Sequence, residues 1–344
     1  MNIPIQNIYI MLIYSWQKHN EKEIVNVGLE GQTDLQNLFA KVLINGINHL
    51  FKRGVNRDYR STSESIRGIK GKIDFNASLK KNLIQNGIVE CEFDEFDEDN
   101  IQNQIIKATL NSLLRTDGVD KENKVKLSQQ RIRLTSVSDI NLVKTHFTKL
   151  RFNSNNRFYE FLINVCEMIH DNLLPGESKG KYKFRKFTDD EGKMRLLFES
   201  FVRNFYAIEA DGWDKVKSER MKSRFVPITK DSESLLPDMV TDISLWNNER
   251  KIIIDTKFTP KAFSTNQWDK KTLRSGHLYQ LNTYLTYTES KKDQAVEGIL
   301  LYPAVKEDFS HEYQSPEGYK ISVKSIDLNK DFDNIKSDLM AIIN

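Results

Sequence analysis

Apolar residues recur at helical spacing over residues 9–16 and again over 35–51, where Leu35, Leu38, Phe39, Val42, Leu43, Ile47, Leu50 and Phe51 form one stripe. Gly54 stops the second helix, and residues 55–59 are predicted to begin a strand. Residues 66–75, with glycines at 68 and 71, read as strand and turn. An acidic run over 91–99 leads into an amphipathic helix over 100–114, and charge-rich sequence continues to Phe152. The pattern breaks at Leu174-Pro175-Gly176 and over 188–192. We therefore expect an N-terminal α+β domain over 1–155 and a second domain over 156–344, with residues from about 155 onward folding alone.

The second half has a different rhythm. Residues 194–208 form a helix that buries Leu197, Phe198, Phe201, Val202 and Phe205. An extended stretch follows over 239–246, then a polar turn at 247–250, then a strand over 251–258 whose Ile252-Ile253-Ile254 is typical of a buried position. A helix over 277–287, an apolar strand over 298–302 and a last helix starting near Phe332 complete the chain. Helix, strands, helix and strand in that order predict an α/β fold, a mixed sheet flanked by helices.

Composition narrows the function. A chain of 344 residues is long for a single core, which agrees with two domains. Its 51 Lys and Arg against 48 Asp and Glu leave a net charge of +3, so any affinity for nucleic acid must come from local patches. Cys91 and Cys166 are too few for a disulfide framework and read as reduced thiols. The apolar stretch at 8–14 is far too short to span a bilayer and no basic leader precedes it, so a soluble cytoplasmic chain with no membrane partner is expected. Histidines at 19, 49, 146, 170, 277 and 311 form no metal-spaced pair, which argues against zinc. Gly68-Ile69-Lys70-Gly71-Lys72 is not a phosphate loop. Ile66 stands where the first glycine belongs, and Ile73 follows the lysine.

The chemistry converges on Asp255-Thr256-Lys257. Acid-x-Lys also occurs at Glu177, Glu191, Asp269 and Glu289, always in polar surroundings. Only Asp255 and Lys257 end an apolar strand, where alternation puts both on one face with Thr256 on the other. Unpaired burial there costs several kcal/mol. The plain alternative is a structural Asp–Lys pair. The preceding strand argues against it. With residues 247–250 as a four-residue hairpin loop, Trp246 pairs with Lys251, Leu245 with Ile252 and Ile243 with Ile254, and Asp242 falls opposite Asp255. Side chains so paired stand about 5 Å apart at their Cβ atoms. A shorter Asn247-Asn248 loop still leaves the two acids diagonal neighbours.

Two carboxylates at that spacing repel unless a cation lies between them. Magnesium, or manganese in its place, suits two carboxylates plus water and phosphate oxygen. Lys257 then orients or deprotonates the attacking water. Glu199, at the edge of its helix's apolar stripe, and Gln280 are candidates to assist; Gln280 and Tyr284 lie four apart on one helix face. Lys270, Lys271, Arg274, His277 and Tyr284 are candidates to meet the DNA backbone, although charge runs are usually solvated surface.

With these residues in view the chain resembles the McrC family, the nuclease subunits of McrBC-type modification-dependent restriction systems, within the PD-(D/E)xK nuclease superfamily. The resemblance runs from Ile3-Pro4-Ile5-Gln6-Asn7-Ile8-Tyr9 through Gly68–Ile73, residues 103–110 and Pro175-Gly176. It continues through Leu235-Leu236-Pro237, Thr241-Asp242-Ile243, Asp255-Thr256-Lys257 and Leu278-Tyr279-Gln280-Leu281. It implies a double-stranded DNA endonuclease acting on modified DNA with a McrB-like AAA+ GTPase, whose activity it stimulates through its N-terminal region. It also puts the first metal aspartate on Asp242. Asp238, in the Pro-Asp dipeptide that names the superfamily, shares the parity of Asp242 but lies four residues further from the turn, roughly 13 Å along a strand. The competing readings are a non-catalytic activator of an AAA+ NTPase and a stand-alone nuclease.

Overall fold

The computed structural model describes residues 3–18, 34–153, 156–176, 178, 180–229, 232–259, 262–265, 271–304 and 308–344. The chain divides into two compact units, Asn20–Arg185 and a discontinuous one made of Met1–His19 with Lys186–Asn344. The first helix, α1 (Ile5–Ser15), therefore belongs with the C-terminal half.

Within Asn20–Arg185, α2 (Leu35–Arg53) starts where the Asp34 side chain accepts from Asn37 N and stops at Gly54, whose φ of 98° suits glycine. There follow β1 (Asp58–Ile66), β2 (Lys72–Ile73), α3 (Phe75–Lys80) and β3 (Val89–Asp97), with the three strands in the order β1-β3-β2. Next come α4 (Ile101–Leu114), α5 (Lys121–Arg133), α6 (Lys144–Thr148) and α7 (Arg157–Asn172), then the short pair β4 (Leu173–Pro175) and β5 (Tyr182–Phe184). α7 packs on α2 and α4, burying Phe161, Leu162, Val165, Cys166 and Ile169. A Cβ on Gly46 would collide with Leu162, which shows how closely α2 and α7 approach. This is why the division falls at Arg185 and not at residue 155: α7, expected to open the second domain, is core of the first.

The other unit continues with α8 (Glu191–Glu209), β6 (Lys215–Lys217), β7 (Arg220–Met221), β8 (Met239–Val240), β9 (Ile243–Trp246) and β10 (Arg250–Thr256). β11 (Phe263–Thr265), β12 (Lys271–Leu273), α9 (Ser275–Tyr287), β13 (Ala295–Pro303), β14 (Ser310–Gln314), β15 (Lys320–Ile326) and α10 (Phe332–Ile343) complete it. Its sheet runs β14-β15-β13-β10-β9-β6. β13 is parallel to both β10 and β15, and the other pairings are antiparallel, so the sheet is mixed as expected. β10 and β13 are buried over most of their length, which explains their continuous apolar runs.

α9 covers one face of this sheet, where Leu281, Tyr284 and Leu285 pack with Ile253, Leu300, Tyr302, Ile321 and Val323. Gly298 permits that approach, since a Cβ there would stand 2.8 Å from Leu285 Cδ1. α1 is fastened to the same unit by polar bonds as well as packing. Asn7 Nδ2 donates to Leu328 O and Lys330 O, both at 2.8 Å, and Asn204 Nδ2 donates to Tyr14 O and Ser15 O. The Tyr14 ring lies against Phe201, Phe205 and Phe332. A fragment starting near residue 155 would lack this helix and the contacts it makes with the C-terminal unit. No helix of the described residues is long and apolar enough to cross a membrane.

Candidate active site

The hairpin that carries the acids forms in the expected register. Trp246 pairs with Lys251, Leu245 with Ile252, and Ile243 with Ile254. Asn247 closes the turn, its Oδ1 accepting from Glu249 N and Arg250 N at 3.0 and 2.9 Å. The ladder ends at Ile243, and Asp242 lies just beyond it. Its carboxylate takes the next ladder position in place of a backbone carbonyl. Oδ2 accepts from both Thr256 N and Thr256 Oγ1 at 2.8 Å. Thr256, expected only to face away, is thus what fixes Asp242.

Asp255 is fully buried, and among the described residues no backbone group and no side chain other than Lys257 meets its carboxylate oxygens. Oδ2 is ion-paired with Lys257 Nζ at 2.7 Å. Burial pushes the Asp255 pKa up to about 6; Lys257 opposes the rise, and Asp242 and Glu199 add to it. All three neighbours therefore share its electrostatic surroundings. Lys257 Nζ also donates to Gln280 Oε1 at 3.0 Å, Gln280 Nε2 donates to Tyr284 Oη at 2.8 Å, and Tyr284 Oη donates to Val240 O at 2.9 Å. Glu199, on α8, is paired with Arg203 at 2.8 Å, and the same guanidinium donates to Asp242 O at 3.1 Å. The Phe198 and Phe258 rings, 5.8 Å apart, hold α8 against the chain just past Lys257.

The structure thus gathers Asp242, Asp255, Lys257, Glu199 and Gln280. Asp238 instead precedes β8, exposed and ion-paired with Arg220 at 3.4 Å. Tyr284 is corrected: it is buried, and its hydroxyl is engaged by Gln280 and Val240, so it cannot meet DNA as expected. Lys271, at the start of β12, and Arg274, just before α9, are exposed, and Lys270 lies outside the described residues. Arg203 escaped the sequence reading, although its i, i+4 spacing from Glu199 was a usable signal. Among the described residues no group of three or more His, Cys, Asp or Glu side chains is disposed to hold a metal ion. The acids come as a pair, Asp242 held through Oδ2 and Asp255 met by Lys257 alone among the described residues, a donor set that suits a hard cation retaining most of its water.

The family model for the McrBC 5-methylcytosine restriction system component matches residues 6–303. The chain belongs to that family. The resemblance read from the sequence is borne out over almost the whole chain. This McrBC-family chain is 32% identical over 340 residues to the Type IV methyl-directed restriction enzyme EcoKMcrBC of Escherichia coli (strain K12), covering 99% of this chain and 97% of that relative. Its fold is similar to a chain of the half-complex refined from a tetradecameric assembly of Thermococcus gammatolerans McrB AAA+ hexamers with bound McrC. That match has a TM-score of 0.61 and 15% identity, and covers 99% of this chain and 75% of that one.

Proposed function

We propose that the chain is the magnesium-dependent DNA endonuclease subunit of a McrBC-like restriction system, cutting double-stranded, modified DNA together with an AAA+ GTPase whose turnover it stimulates. The observation that carries the proposal is Asp255, a fully buried carboxylate met by Lys257 alone among the described residues, with Asp242 close enough to raise its pKa. A structural ion pair would offset its burial with hydrogen bonds to the carboxylate as well as the lysine. The E. coli relative, described as a methyl-directed restriction enzyme, supports the substrate, and the T. gammatolerans assembly of McrB and McrC supports the partner.

Asp242 and Asp255 would hold the metal. When bound, magnesium, or manganese in its place, supplies Lewis-acid polarisation of the scissile phosphate. The remaining work falls to the chain's own groups. Thr256 and Arg203 keep Asp242 in place through its carboxylate and its carbonyl. Lys257 directs one N–H at Asp255 and one at Gln280, leaving a third for the attacking water or a phosphate oxygen. Gln280, steadied by Tyr284, holds the ammonium in position. Glu199 is close enough to influence Asp255 and can reach a water beside it. Exposed Lys271 and Arg274 suit the DNA backbone. We assign partner docking to the unit Asn20–Arg185.

The experiment mixes the purified chain, the partner GTPase, GTP, magnesium and methylated duplex DNA. Lys257→Ala should lower cleavage by on the order of 10²–10⁴-fold while stimulating GTP turnover as the wild type does. Cleavage by wild type without the partner would favour a stand-alone nuclease. No cleavage under any of these conditions, with GTPase stimulation intact, would favour a non-catalytic activator.

A further inference from the structure

The stripe that α9 turns toward the ends of β10 and β13 holds one more polar group than the proposed chemistry uses. His277, Gln280 and Tyr284 are spaced i, i+3 and i+7, so they share a helix face. Gln280 holds Lys257 and Tyr284 anchors Gln280, which leaves His277. Its Nδ1 lies 2.7 Å from Tyr302 Oη, with the two rings 5.9 Å apart.

Tyr302 is fully buried beside Lys257. β10 and β13 run parallel with Thr256 paired to Leu301, and Lys257 N donates to Leu301 O, so Tyr302 is the next residue in line. His277 Nδ1 is the phenol's only hydrogen-bond partner among the described residues. A buried hydroxyl with one partner is satisfied by donating to it, which makes Nδ1 the acceptor and puts the ring proton on Nε2. Burial, with Lys257 and Arg274 close by, pulls the His277 pKa down to about 4, so the ring is neutral at working pH.

Nε2–H makes no hydrogen bond among the described residues and is not fully buried, and the ring is half-buried. No side chain caps the start of α9 at Arg274, so the positive end of the helix adds to Lys257 and Arg274. A neutral N–H donor in such surroundings selects an anionic oxygen, and the anion that the proposed reaction delivers beside Lys257 is the DNA phosphate.

We infer that His277 is a substrate-binding residue of the site, donating a hydrogen bond from Nε2 to an oxygen of the scissile phosphodiester, and that Tyr302 is the positioning residue that fixes its tautomer and ring. The inference rests on the nuclease reading above.

The test exploits the reach of two amides. The amide nitrogen of glutamine falls near the position of a histidine Nε2, whereas that of asparagine falls near Nδ1. Single-turnover cleavage is measured for the full chain with its AAA+ partner, GTP, magnesium and methylated duplex DNA. His277→Gln should retain most of the wild-type rate. His277→Asn and His277→Ala should lose on the order of 10- to 100-fold with GTPase stimulation unchanged. His277→Ala, which strips the buried Tyr302 hydroxyl of its partner, should also lower the unfolding midpoint while the folded variant still stimulates GTP turnover. Tyr302→Phe should lose on the order of 10-fold, through a ring free to turn. Rescue by asparagine and not glutamine would mean that only the bond to Tyr302 matters, and would overturn the inference. So would equal rates for glutamine and asparagine, or an unimpaired alanine variant. In each case wild-type cutting, and its loss in Lys257→Ala, would leave the nuclease reading standing. A wild-type chain that does not cut under these conditions overturns both.

Discussion

β3 and β10 both carry acids along a strand, yet the two strands treat charge in opposite ways. The outward face of β3 pairs Glu90 with Ser65, Glu92 with Ser63 and Asp94 with Ser61 across the ladder to β1. Glu90 accepts from Ser63, Ser65 and Lys81, and Glu92 and Asp94 are exposed to water. Every charge there is solvated or hydrogen-bonded, so none is costly. β10 buries Asp255 completely, with Lys257 its one partner among the described residues. A strand that tolerates that cost must gain something from the group in another state, and cation binding is the gain we propose. The density of charge is higher on β3; the cost of charge is higher on β10, and cost is the better guide to chemistry.

The largest effect should come from breaking the costly set. Asp242→Ala and Asp255→Ala should each lower DNA cleavage by on the order of 10²–10⁴-fold, measured with partner and magnesium. Glu92→Ala, Asp94→Ala and Asp238→Ala should leave most of the activity. Loss in Asp238→Ala with retention in Asp242→Ala would move the first metal ligand to the Pro-Asp dipeptide and undo the hairpin argument.

Next in size is the dependence of the nuclease unit on α1. Ile13 is fully buried on that helix, and Ile13→Ala should destabilise the unit by about 2–5 kcal/mol. Leu196→Ala, at an exposed position of α8, should cost less than about 0.5 kcal/mol. Denaturant midpoints of the two variants check this. Equal midpoints would show that the N-terminal helix is dispensable to the C-terminal sheet.

A smaller effect tests the cost of Asp255 directly. Its pKa of about 6 in the fold lies above the value of about 3.9 expected in the unfolded chain. The folded state therefore takes up the proton more readily. The stability this contributes is present below about pH 4 and is lost as pH rises through 6. Without metal, Asp255→Asn should be more stable than wild type at pH 7.5 by about 2–3 kcal/mol, and the gap should close toward pH 4. Magnesium at pH 7.5 should raise the Tm of wild type and leave Asp255→Asn unchanged. A variant no more stable than wild type would mean that Lys257 alone offsets the burial.

Much of the site could be read directly from the residues because it is built on local pairing. Asn247 closes a short turn, so the distance in sequence from that turn sets which residues of β9 and β10 meet, and Asp242 follows. Helical spacing likewise placed Gln280 beside Tyr284. The same spacing could not say which way Tyr284 points. Its burial depends on Leu300 and Tyr302 arriving from β13, which pattern alone does not position.

Periodicity in the residues therefore determined the α/β class, the hairpin register and the acid–acid–lysine set, since each rests on contacts between near neighbours or on the alternation of one strand. The fold decided the rest. β14 is exposed throughout and carries no burial alternation to read, so only its pairing with β15 makes it a strand. α7 belongs with α2, and α1 with α8, through packing across more than a hundred residues of chain. Asp242 is oriented by Thr256 and Arg203, one from the neighbouring strand and one from a helix nearly forty residues earlier. Such contacts are set by which surfaces bury one another best, a property of the folded whole that no window of sequence contains.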